Sequence, residues 1–256
     1  MCPETETIGS VEQPEQEDLK IKAEEIAQKY QFESFDDHFY ASNFPELNKF
    51  YLAMLDEYVS RSGCELPNGA ELNLLDFGSG FMQYYDAYKT FFEKFGMPEG
   101  AKRNLAIVMW EADRKIPNAW ADGIIGRMYE YLDEQSRDLS IKELESFFEK
   151  RENQKVDILT MFSMGPGSTL ADPKAVDKSF QDVVSMLSSV LSDQGIIIAT
   201  TSFGGAKING FLQALENNGF EIKLRAPNKY NNIMSEERAP FSNDEIIIAQ
   251  KKKQQN

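Results

Sequence analysis

The stretch Leu74–Tyr85, LLDFGSGFMQYY, decides the fold. An apolar run ends in Asp76, passes through Gly78-Ser79-Gly80 and enters a second run rich in apolar and aromatic residues. Strand, glycine turn, helix is how a chain turns a loop of bare backbone N–H groups toward a ligand. Gly78 and Gly80 have no side chains to hold that ligand away from the backbone. A lone Gly-x-Gly suits a plain strand-to-helix turn equally well, so its neighbours must decide between the two.

Downstream, apolar runs alternate with helical patterns. Strands are expected at 72–77, 105–111, 128–133, 156–162, 195–201, 220–225 and 245–250, with helices at 82–95, near 117–125, 141–150, 174–193 and 206–218. The tripeptides DQG at 193–195 and NNG at 217–219 read as left-handed caps ending the last two helices. Seven strands interleaved with helices imply a doubly wound, Rossmann-like α/β sheet, mostly parallel and covered on both faces. Upstream, residues 18–30 and 44–63 have helical spacing, with Pro45 near a helix start and Gly63 beyond its end. The expected organisation is a disordered acidic tail at 1–17, an N-terminal helical cap at 18–66 and one α/β domain at 67–251.

The chain of 256 residues is long enough to hide roughly 75% of its unfolded surface. Its formal charge of −15 argues against nucleic acid as a partner, because phosphate binding needs clustered Lys and Arg. No stretch approaches the ~20 apolar residues of a membrane helix, and the N-terminus lacks the basic and apolar regions of a signal peptide. Two cysteines, Cys2 and Cys64, make no disulfide framework and fit a reducing, cytoplasmic setting. One histidine and two distant cysteines also leave no zinc site.

The second expected strand, LAIVMWE, ends in Glu111. An acid at that strand tip is placed to accept both ribose hydroxyls of an adenosine with one carboxylate. Asp113 fits a cap for the next helix. A dinucleotide pyrophosphate needs a third glycine, and Gln83 occupies that place. Asp76, immediately before the turn, suits a cationic amino acid group better than a phosphate. The loop therefore favours a ligand with one adenosine and a methionine tail over a nicotinamide cofactor.

LLDFGSG, VMWEAD, VDILTMF and GIIIATT, in that order, resemble the motif series of class I S-adenosylmethionine-dependent methyltransferases over roughly residues 70 to 202. The resemblance implies a seven-stranded sheet whose last strand is antiparallel. It also implies S-adenosylmethionine as cofactor, held by Asp76, Gly78, Ser79, Gly80 and Glu111. Two features depart from the series. Met82 stands where this loop commonly has a glycine, and Glu111 lies further beyond Gly80 than the ~20 residues of a dinucleotide site. A narrower similarity, in the layout of residues 131–164, is to the histamine N-methyltransferase-like group. It implies that Gln135 or Ser136 holds adenine, that Phe162 packs on it, and that an aromatic N-terminal segment covers the site.

Phe32, Phe35, His38, Phe39, Tyr40 and Phe44 are the candidates for that segment. His38, Tyr40 and Phe44 are the expected substrate contacts, Tyr40 and Phe44 offering ring faces to a cation. His38 serves either as a base for the acceptor or as a packing residue, and the rings either wall a pocket or complete the core. No catalytic residue declares itself. The expectation is methyl transfer to a small molecule, with an amine nitrogen ahead of oxygen. A protein methyltransferase and a non-catalytic binder of the cofactor remain as alternatives.

Overall fold

Strands covered on both faces read as continuous apolar runs, and the two most apolar runs form the middle of the sheet. The computed structural model describes residues 13–32, 45–65, 71–77, 87, 90–92, 102–108, 155–161, 181, 184–185, 187–201, 206–230 and 245–253. The helices are α1 Gln13–Tyr30, α2 Pro45–Ser62 and α3 Ala206–Asn217. The strands are β1 Glu71–Phe77, β2 Lys102–Val108, β3 Val156–Met161, β4 Leu191–Thr201, β5 Phe220–Pro227 and β6 Glu245–Lys251. Residues 87, 90–92 and the described residues of 181–190 are also helical.

These strands form one sheet of order β2-β1-β3-β4-β6-β5. The pairs β1–β2, β1–β3 and β3–β4 are parallel, whereas β6 runs antiparallel to both β4 and β5. The last strand is therefore inverted, as expected, and β5 again points the same way as β1 to β4. Six strands are described; the expected strand at 128–133 lies outside the described residues, as does the expected helix at 141–150.

Alternation along the strands divides the core. Leu72, Leu74, Ile158, Ile196, Ile198, Ile246 and Ile248 belong to one buried cluster with α1, α2 and Phe91. Leu75, Leu159, Ile197, Ile247 and Ala249 belong to another with Val184, Leu187 and α3. Helices thus cover both faces.

Several boundaries differ from the sequence expectation, each for a physical reason. β2 begins at Lys102 rather than Leu105, because Lys102 to Val108 pair residue for residue with Glu71 to Phe77; the ladder, not the apolar run, sets the start. β4 begins at Leu191, so Asp193-Gln194-Gly195 is not a helix cap. Leu191 pairs with Val156 and Ile196 with Ile158, which leaves Ser192 to Gly195 as a bulge with Gln194 at φ 127°. A Cβ on Gly195 would stand 2.6 Å from Leu191 Cδ2 and 3.0 Å from Ser192 O, so a side chain there would make Leu191 shift. Asn217-Asn218-Gly219 does end α3 as expected: Gly219 has φ 81° and its N–H bonds to Glu216 O.

The N-terminal helices correct the expectation most. α1 starts at Gln13, inside the supposed tail of 1–17. Pro14 is tolerated in a first turn and the acids that follow favour a helix N-terminus, although that turn has no apolar periodicity. Nor do α1 and α2 stand apart as a cap. Leu52, Ala53, Met54 and Leu55 are consecutive and all fully buried, and a helix buried all round is an interior layer. α2 lies between α1 and the sheet, touching β5 and β6.

Charged groups lock this layer in place. Asp56 accepts hydrogen bonds from Tyr30 Oη at 2.7 Å and Lys29 Nζ at 2.6 Å. Glu57 accepts from Lys22, from Lys229 Nζ at 2.8 Å and from Tyr230 Oη at 3.0 Å. Tyr58 Oη donates to Pro227 O at 2.7 Å and accepts from Lys229 N–H at 3.2 Å. Three successive residues of α2 thus tie α1 to the end of β5. Burial pushes the Glu57 carboxyl up, but hydrogen bonds from Lys22, Lys229 and Tyr230 and the Lys229 charge outweigh it and hold the group at about 2. Burial, then the Glu57 charge, keeps the Tyr230 phenol protonated well above its ordinary range.

Two predictions follow from the packing. Glu57→Gln loses charge-assisted hydrogen bonds and is expected to cost on the order of 2 kcal/mol at pH 7 in urea titration. The folded carboxyl titrates at about 2 against an ordinary 4.5. Its contribution is therefore complete above pH 4.5 and lost as pH falls toward 2, and the gap between wild type and variant should close across that window. Deleting residues 1–32 removes Leu19, Ala23, Ala27 and Tyr30, all buried. At roughly 1.5–3 kcal/mol for each large apolar side chain, the loss rivals a total stability of about 5–15 kcal/mol. The truncated chain should lose its cooperative thermal transition; a cooperatively folded product would mean that α1 is dispensable.

Candidate functional site

The chain passes from β1 to β2 on one side and returns to β3 on the other, so β1 stands where the strand order reverses. In open α/β sheets a crevice forms there, beyond the carboxyl ends of the strands. The register puts the end of β1 against both neighbours. Asp76 pairs with Ile107 of β2 and with Thr160 of β3, and Phe77 pairs with Val108. Gly78-Ser79-Gly80 follows β1 directly in the sequence.

The amino edge beneath is held by Asp157 at the start of β3. Its Oδ2 accepts the Asn73 N–H of β1 at 2.9 Å and its Oδ1 accepts Ser192 Oγ of β4 at 2.8 Å. One carboxylate therefore fixes β1, β3 and β4 relative to one another. Leu74 is buried on one face of the sheet, and Leu75, Leu159 and Met161 on the other.

The helical residues Ala87 and Thr90 to Phe92 are held by the N-terminal layer. Asn48 of α2 is fully buried, and its Oδ1 accepts the N–H of the equally buried Ala87 at 3.0 Å. The rings of Tyr30 and Phe91 lie 5.8 Å apart at 41°, and Phe92 meets Phe91 edge-on at 5.0 Å. Asn48 was not foreseen from the sequence. Its signal was a polar residue in the stripe Asn48, Leu52, Leu55, Val59, a position where burial demands a hydrogen-bond partner.

Of the expected cofactor residues, Asp76 lies in β1 with only its backbone described. Gly78, Ser79, Gly80, Glu111, Gln135, Ser136 and Phe162 lie outside the described residues. So do His38, Tyr40 and Phe44. Phe32, the one described member of the aromatic segment, packs against the core cluster of α1 and α2. Among the described residues no helix is long and apolar enough to cross a membrane. Cys64 is a free, half-buried thiol whose pKa burial pushes up.

No family model and no curated protein matches the chain. Solved structures similar to it include TrmN from Thermus thermophilus, at 13% identity over 80% of this chain and 48% of that one, with a TM-score of 0.48. The chain spans about half the length of that protein. Geranyl diphosphate C-methyltransferase from Streptomyces coelicolor A3(2), solved with Mg2+, geranyl diphosphate and S-adenosyl-L-homocysteine, is similar at 15% identity. That match covers 90% of this chain and 98% of the other, with a TM-score of 0.44. Precorrin-6y C5,15-methyltransferase from Geobacter metallireducens GS-15 is similar at 12% identity, 81% and 87% coverage, and a TM-score of 0.40. At these values the likeness assigns no activity to this chain, and it lends nothing to the narrower histamine N-methyltransferase-like resemblance.

Proposed function

We propose that this chain is an S-adenosylmethionine-dependent methyltransferase acting on a small molecule, with an amine nitrogen as acceptor. The observation that carries the reading is the sheet itself. The sequence Gly78-Ser79-Gly80 follows the switch-point strand, and an inverted last strand lies between β4 and β5. A dinucleotide-binding sheet continues in parallel order on that side, so the inverted strand supports the methyltransferase reading over the nicotinamide one. The missing third glycine at Gln83 points the same way.

The bound cofactor supplies an electrophilic methyl group on a sulfonium. The chain's task is to bind, orient and exclude water. Gly78, Ser79 and Gly80 would hold the methionine tail through backbone N–H groups, and Asp76 would take its ammonium. Glu111 would accept both ribose hydroxyls, Gln135 or Ser136 would hold the adenine edge, and Phe162 would cover its face. His38, Tyr40 and Phe44 would contact the acceptor, an amine that must be neutral to attack in line. Alignment of the reacting pair supplies most of the rate, since well-oriented partners reach effective molarities of roughly 10⁵ M or more. The charge of −15 favours a small, cationic acceptor over RNA.

Two substitutions test the assignment. Glu111→Ala should weaken S-adenosylhomocysteine binding about tenfold or more, because charge-assisted hydrogen bonds contribute roughly 1.5–3 kcal/mol. Affinity within twofold of wild type in a folded protein would exclude Glu111 from the ribose. Gly78→Val should abolish cofactor binding and methyl transfer from labelled cofactor to small amines, with less effect on the urea midpoint, because a side chain fills the space against the backbone. Unchanged affinity would remove the turn from the site.

A further inference from the structure

The two ladders that β1 makes at the reversal of strand order differ in length. β1 pairs with β2 over seven residues, Glu71 to Phe77, but with β3 over only three, Leu74 to Asp76 against Ile158 to Thr160. Among the described residues no other ladder of the sheet is as short. On its amino side, side chains take over from the backbone. Asp157 Oδ2 accepts the Asn73 N–H at 2.9 Å, and Asn73 Nδ2 donates to Lys155 O at 3.1 Å. Asp157 Oδ1 accepts Ser192 Oγ at 2.8 Å, which ties the same carboxylate to β4 at the start of its bulge. Hydrogen bonds to a charged acceptor are stronger than the neutral ladder bonds they replace. The shortest ladder thus carries the strongest clamp.

We propose that Asp157 is a positioning residue for the ligand: by clamping the amino end of the β1–β3 pair, it sets the separation of the two strand ends that flank the nucleoside. The proposal rests on the cofactor reading above. β1 ends at Phe77 and β3 at Met161. Gly78 and Phe162 come next in the sequence, so the residues assigned to the methionine tail and to the adenine face follow directly on these two strands. Glu111 follows β2, which seven register pairs already fix against β1. The β1–β3 separation is therefore the least constrained dimension among these strands. Without the carboxylate, the Asn73 N–H and Ser192 Oγ lose their shared acceptor, and three ladder pairs with the Asn73 side chain hold β1 to β3. The pair then parts for some of the time, and apparent affinity falls in proportion to the fraction of molecules still competent.

The test compares wild type with Asp157→Ala, Asp157→Asn and Ser192→Ala in the full chain. Asp157→Ala removes both arms of the clamp. Asp157→Asn keeps its shape, with an oxygen to accept the Asn73 N–H and an amide to donate to Ser192 Oγ. Ser192→Ala removes only the arm to β4. Three quantities are read: Kd for S-adenosylhomocysteine, the urea midpoint, and hydrogen exchange without ligand of the Leu75 amide, which alternation turns toward β3 like that of Asn73. Asp157→Ala should lose about tenfold or more in Leu75 protection, the factor set by one unmade hydrogen bond to a charged group. Its affinity should fall about fivefold as the competent fraction drops, and Asp157→Asn should recover affinity to within about twofold of wild type. Ser192→Ala should lower the urea midpoint yet keep affinity within about twofold, because the bond from Asn73 is intact. If Asp157→Ala fails to fold, Asp157→Ser, too short to hold both partners, is read in the same way. Lost Leu75 protection with affinity within twofold of wild type would overturn the positioning role and leave Asp157 a part of the frame. Ser192→Ala weakening affinity as much as Asp157→Ala would overturn it too, since affinity would then follow stability rather than the β1–β3 pair. Unchanged Leu75 protection would overturn the clamp itself. A wild-type protein that binds no S-adenosylhomocysteine, yet loses Leu75 protection in Asp157→Ala, would sink the cofactor reading and the positioning role while leaving the clamp in place.

Discussion

Everything in this molecule depends on covering the face of the sheet that carries Leu72, Leu74, Ile158, Ile198 and Ile248. A strand buried on one face alone would leave these side chains in water, at a cost of roughly 25 cal/mol for each Å² of apolar surface. α2 supplies the cover, and α1 covers α2 in turn. The same helix then places Asn48 against Ala87 and Glu57 against the end of β5. Packing of the N-terminal layer and geometry of the carboxyl edge are consequently one problem.

Two carboxylates divide the electrostatic work. Asp157 joins three strands at the amino edge through a backbone N–H and a hydroxyl. Glu57 joins α1, α2 and the segment after β5 through lysines and a phenol. Both belong to the frame. The half-exposed lysines around Glu57 make its contribution sensitive to salt as well as to acid.

Much of the fold was legible in the sequence, because strands buried on both faces leave unmistakable apolar runs. EIIIAQ and GIIIATT became β6 and β4, and their inverted relation was expected from the motif series. Boundaries were less legible, since pairing sets them: Lys102 to Asn104 join β2 because Glu71 to Asn73 are there to pair with. Asp193-Gln194-Gly195 carries the composition of a cap but is a bulge, because the same residue types suit any sharp bend. Periodicity showed that α2 has an apolar stripe. It did not show that Ala53 and Met54, off that stripe, are covered as well, and so a layer read as a cap. At the proposed site, the glycines and Asp76 are picked out by residue type and order alone. Asn48 was missed because its partner is a backbone N–H, which leaves no trace in composition.

The central claim is that the turn after β1 holds an adenosine with a methionine tail. Backbone amide NMR of the labelled full chain, titrated with S-adenosylhomocysteine and separately with NAD, tests it most directly. The account predicts saturable shifts concentrated at Asp76 to Gly80 and around Glu111, with smaller shifts at Ala87 and none of these with NAD. Shifts that bypass the turn, or an equal response to NAD at the same amides, would contradict it.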